Sequence, residues 1–146
     1  MNTSNLHFFI QQQATAFRNK FDLAFLSIGN SRSVMELVHT CNSRPLAPPH
    51  LRLETEVRNC TNKFNTAVES KAHALIQHEL IRLNDILDSG NFTSFTQEKG
   101  RFCRDLRYLG GHAPRALQKA LLDVATLRIE RQSEDQCTEI AREEFA

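Results

Sequence analysis

The sequence predicts an all-α protein, an antiparallel bundle of four to five helices with one long central helix over about 50–89 and a long C-terminal helix. Three observations carry this. Apolar residues recur at steps of three and four along most of the chain, which is the spacing of one helix face. From His50 to Ser89 there is neither Pro nor Gly. The chain holds only five Gly and four Pro in 146 residues, too little turn material for an all-β sandwich or barrel, which needs a turn signal about every 8 to 12 residues. That length suits one helical domain, 1–146, with one modest core, since domains commonly run about 100 to 150 residues.

Taken in order, the first helix is expected over about Leu6 to Ile28, where Ile10, Ala14, Phe17, Phe21, Ala24, Phe25 and Ile28 form a single stripe. Gly29-Asn30 is a fitting stop, because both residues tolerate the left-handed conformation that ends helices. Asn30 or Ser31 then caps a short second helix carrying Val34, Met35, Leu37, Val38 and Cys41. Residues 42–49 must be a connector, since Pro45, Pro48 and Pro49 forbid a continuing helix. Its P-x-x-P spacing has the composition of an adaptor-domain ligand, but its simplest role is to stiffen the link.

The long helix follows, with Leu53, Val57, Cys60, Phe64, Val68, Leu75, Leu83 and Ile86 as its stripe. Leu53, Phe64, Leu75 and Ile86 repeat every eleven residues, about 3.67 per turn, so this helix is expected to stay nearly straight. Gly90 ends it, and Ser94 with Gln97 has the form of a capping box for a fourth helix. Gly110-Gly111 ends that one, and Pro114 opens a fifth through Ala116, Leu117, Ala120, Leu121, Val124 and Leu127. Beyond a polar patch at 130–136, Cys137, Ile140, Ala141 and Phe145 restore a short apolar stripe. These residues make 130–146 a protruding amphipathic tail too short to fold alone.

The formal net charge is +1, from 18 Lys and Arg against 17 Asp and Glu, which excludes a generally polycationic nucleic-acid-coating or membrane-surface protein. The near-neutrality is a cancellation of blocks: +3 over 1–53, −3 over 54–98, +5 over 99–119 and −4 over 120–146. No signal peptide or membrane-spanning run is recognisable, and Cys41, Cys60, Cys103 and Cys137 form no C-x-x-C pair. The expectation is a soluble, cytoplasmic protein whose cysteines are small apolar fillers, with no metal and no cofactor.

The strongest chemical signal is the segregation of charge on the fourth helix. At 100° per residue, Phe95, Phe102, Leu106 and Leu109 fall in a narrow arc, while Arg101, Arg104, Arg107 and Tyr108 occupy the opposite side. Arg115 and Lys119 extend the basic block into the fifth helix. Guanidinium forks suit the carboxylates of an acidic protein surface. Two helices joined by a glycine turn also have the form of a helix-turn-helix, with the same cations on phosphates.

The histidines offer less. Glu36-x-x-His39 occurs only once, where di-metal sites use two such motifs, and His73 and His78 do not share a helix face. Arg32 with His39, and Arg107 with His112, fit an R-x(4-6)-H spacing. In this the chain resembles the HEPN family of small helical RNases. The resemblance implies that imidazole would move a proton at a ribose 2′-hydroxyl while guanidinium stabilises the phosphate.

The sequence therefore points to a non-enzymatic regulator, adaptor, chaperone-like protein or inhibitor. It would bind another protein through Arg101, Arg104, Arg107, Tyr108, Arg115 and Lys119, and through the tail residues Ile140 and Phe145. A nucleic-acid-binding regulator using 99–119 is the alternative, and a HEPN-like RNase the second. A central helix of about 38 residues, about 57 Å at 1.5 Å per residue, exceeds what a compact monomer requires, so a homodimer is expected.

Overall fold

A computed structural model describes residues 3–126 of the chain. Four helices, α1 (Thr3–Asn30), α2 (Val34–Asn42), α3 (Thr55–Asp88) and α4 (Phe92–Leu109), are followed by α5, helical over 114–126. Among the described residues there is no strand, so the fold is the expected all-α bundle. None of these helices is long and apolar enough to cross a membrane. The amphipathic tail, with Ile140 and Phe145, lies outside the described residues.

α1 buries the stripe its spacing predicts: Ala14, Phe17, Phe21 and Ile28 lie in the core, with Ile10, Ala24 and Phe25 packed at its edge. α2 is capped by neither Asn30 nor Ser31. The Ser31 hydroxyl instead donates to the Ser27 carbonyl at 2.8 Å in the last turn of α1. Ser33 is the cap: its hydroxyl accepts from the Glu36 amide at 3.2 Å, while the Glu36 carboxylate accepts from the amide of Arg32. Two otherwise orphaned N–H groups are thereby satisfied from one turn.

The start of α3 differs from expectation. After the connector, a short 3-10 turn at Pro49–Leu51 buries Leu51, and α3 begins only at Thr55. Leu53 is 83% exposed and no part of the core. The eleven-residue register fails with it, because Phe64 is buried while Leu75 and Ile86 are half-buried. The buried stripe is instead Val57, Cys60, Phe64, Val68, Ala72, Ile76, Leu83 and Leu87. Most of its steps are of four, each overshooting one helical turn by about 40°, so over the 30 residues from Val57 to Leu87 the stripe travels about a third of the way round α3.

That drift decides the neighbours. The first half of α3 packs on α1, where Phe21 and Phe25 approach Phe64 with ring centroids at 5.9 and 6.2 Å. Arg18 pairs with Glu56 at 3.1 Å and Lys71 donates to the Gly29 carbonyl at 3.1 Å, so α1 and α3 run parallel. The second half meets α4, which returns antiparallel and brings Glu98 to Arg82 at 2.8 Å. α5 reverses again: Glu69 reaches Ala116 and Gln77 reaches Asp123, so α5 runs alongside α3 in the same direction.

Gly90, with φ of 80°, makes the left-handed reversal between α3 and α4. Asn91 then caps α4, its side chain accepting from the Ser94 amide at 3.1 Å. The helix therefore opens three residues before the expected Ser94 box, because Asn91 sits directly after the reversal and reaches the amide first.

Candidate partner-binding face

α4 separates its faces as its pattern requires. Phe102, Leu106 and Leu109 are buried, Phe95 is half-buried, and Arg101, Arg104, Arg107 and Tyr108 are exposed, the tyrosine by 60%. Arg115 and Lys119, one turn apart on α5, are exposed as well. Arg101 lies 3.9 Å from Glu98. Arg104, Arg107, Arg115 and Lys119 have no side-chain ion pair among the described residues. The acid within this block, Asp105, turns away toward a cleft between α2, α3 and α4.

That cleft, about 680 Å³, carries an ion-pair network on its α3–α4 side. Arg82 is held by Glu79 one turn earlier and by Glu98 across the helix boundary. Hydrogen bonds from Arg82 hold the Glu98 carboxyl below the usual carboxylate range, and the same contacts hold the guanidinium firmly protonated.

The first turn of α5 carries a built-in anion. Glu69, from the middle of α3, accepts from the backbone amides of Arg115 at 3.2 Å and Ala116 at 3.0 Å. A helix N-terminus exposes free N–H groups and attracts negative charge, so a carboxylate from the neighbouring helix satisfies both demands. The joint above it is tight, since a Cβ on Gly110 would stand 2.8 Å from the Leu117 side chain.

The remaining sequence candidates are spread apart. Arg32 lines the α2–α4 cleft, whereas His39 lies exposed in the last turn of α2 and does not line it. Arg107 is exposed on α4, and His112 is half-buried in the following turn, its amide bound to the Leu109 carbonyl at 2.8 Å. Among the described residues no group of three or more His, Cys, Asp or Glu is placed to hold a metal ion. Cys41, Cys60 and Cys103 are free thiols, and burial pushes that of Cys41 above its ordinary range.

A second cationic site escaped the sequence reading, which took the connector as a stiffener. The connector, the 3-10 turn and the first turns of α3 enclose a cavity of about 600 Å³ over Phe21 and Phe64, lined by Arg44, Arg52 and Arg58. The available signal was the recurrence of Arg beside exposed Leu46 and Leu53, which helical periodicity does not register. Comparison of the chain with protein-family models, with curated proteins and with solved structures gives no match.

Proposed function

We propose that this protein is a non-catalytic regulator or adaptor that grips an acidic surface of another protein through the exposed face of α4 and the start of α5. One observation carries the reading. Arg104, Arg107 and Tyr108 on α4 and Arg115 and Lys119 at the start of α5 stand exposed, and none of the four cations has a carboxylate partner among the described residues. Tyr and Arg are the side chains that most often anchor protein interfaces, because each offers a large rigid contact with a polar end.

The nucleic-acid alternative fits less well, for a specific reason. In a helix-turn-helix the second helix presents its N-terminal residues to the groove, and a free helix N-terminus also favours phosphate. In α5 that position already holds Glu69, whose charge repels phosphate. Cys41, Cys60 and Cys103, free thiols among the described residues, fit a reducing, cytoplasmic compartment. The exposed Phe8, Leu23 and Leu26 on the outer side of α1 are apolar surface that a homodimer would cover.

The test is affinity capture from native-host lysate with the full chain and with its Arg104→Glu/Arg107→Glu variant. The expected result is a protein retained by the wild type, released by salt and lost with the variant. Identical captures by the two chains would overturn the reading. Co-purified nucleic acid, with retardation of duplex DNA in low salt by the wild type alone, would replace it with the alternative.

A further inference from the structure

We infer that the cavity between the connector and the first turns of α3 binds a small organic anion with an apolar body, its charged end a carboxylate or a phosphate ester. The site goes beyond the α4 face and is built from different elements. Its volume of about 600 Å³ falls within the range of about 300–1,000 Å³ typical of small-ligand sites. Its floor is Phe21, Val57 and Phe64, which belong to the core and give the cavity a rigid apolar base.

The charge arrangement selects the ligand. Arg44 opens the connector, Arg52 follows the 3-10 turn, and Arg58 stands in the first turn of α3, so three arginines from three elements line one cavity. No carboxylate lines it, and none of the three forms an ion pair among the described residues. Like charges gathered in this way repel one another, and an anion among them relieves the repulsion. The Nε of Arg52 donates to the Ala47 carbonyl at 3.5 Å, which ties the guanidinium to the connector and leaves its two terminal nitrogens for a ligand. Planar forks of this kind match carboxylate and phosphate oxygens two at a time.

The need for an apolar body comes from the wall. Leu46 lines the cavity yet is 76% exposed, held out by the extended connector between Pro45 and Ala47, while Ala47 itself packs on the core. An alkyl or aryl group lying against Leu46 would remove that surface from water while its charged end meets the arginines. The concave shape and modest volume favour a small molecule over a protein segment, whose docking surfaces are larger.

Calorimetric titration of the full chain with decanoate and with decyl phosphate, below their micelle concentrations, tests the site, with decanol as the neutral comparison. Saturable binding of at least one anion is expected, with decanol about tenfold weaker or worse. In Arg44→Gln/Arg58→Gln the anion should weaken about tenfold, and Arg52→Gln alone should weaken it in the same direction. Arg104→Gln/Arg107→Gln should leave the titration unchanged, which separates this site from the α4 face. Equal binding of decanol and the anions would overturn the proposal, as would anion binding that survives loss of Arg44 and Arg58. So would arginine-dependent binding of an acidic peptide when neither small anion binds, since the cavity would then belong to a protein partner.

Discussion

The two halves of α3 are held by different physics. Its first half meets α1 through Phe64, whose ring stands edge-on to both Phe21 and Phe25. Its second half meets α4 through Phe102 and Leu106 as well, but there an exposed ionic clasp of Glu79, Arg82 and Glu98 closes the boundary. The contrast teaches that one helix can anchor one neighbour by apolar packing and hold another partly by charge. The two ends should then respond to different perturbations.

The largest expected effect tests the aromatic end. Phe64→Ala removes the ring that both Phe21 and Phe25 touch and leaves a cavity, so a loss of about 3–5 kcal/mol is expected in denaturant unfolding. If the loss is under about 1 kcal/mol, the aromatic contact does not anchor α1. Next comes the junction between α3 and α5. Glu69→Ala strips two amides of their acceptor and should cost about 1 kcal/mol, with hydrogen exchange rising first at Arg115 and Ala116. Exchange that stays unchanged there would show that water replaces the carboxylate without loss.

Part of this contrast was legible in the sequence. The stripes of α1 and α4 were readable because their core residues recur at helical spacing without a break, and the cationic face of α4 followed from the same arithmetic. The start of α3 was not. Leu51 and Leu53 are equally apolar and two residues apart, and only the 3-10 turn decides that Leu51 is buried and Leu53 exposed. Caps shifted for a related reason: Ser31 and Ser33 are chemically identical, and the geometry of the preceding turn selects between them. The connector cavity was invisible because its arginines come from three elements that no single periodicity links.

A smaller effect tests the joint above α5. Gly110→Ala places a methyl against the end of the Leu117 side chain, which is flexible enough to give way, so a modest destabilisation of about 1 kcal/mol is expected by thermal melting. A gain in stability instead would mean that Leu117 repacks freely and that the glycine is there for another reason.

The smallest effect belongs to the ionic end, and it shows as a slope against pH. Arg82 holds the Glu98 carboxyl below its ordinary value, so the native state binds that proton less readily than the unfolded chain. The contribution is therefore complete above the unfolded carboxylate value of about 4.3 and fades as pH falls through the lower native one. Thermal melts between pH 7 and 3 should lose less on acidification in Arg82→Gln than in the wild type. Equal slopes would show the clasp to be energetically silent, as many exposed ion pairs are.

The slow turn of the buried stripe around α3 makes the two halves phase-locked by residue count. Inserting one residue between Phe64 and Ile76 would rotate everything beyond it by about 100°, so that the surface offered to α4 and α5 would swing away while the α1 contact stayed in place. An insertion of eleven residues would restore the phase to within about 20°. In α3, then, length behaves as an angle, and insertions there should be tolerated according to the turn they add and not according to how short they are.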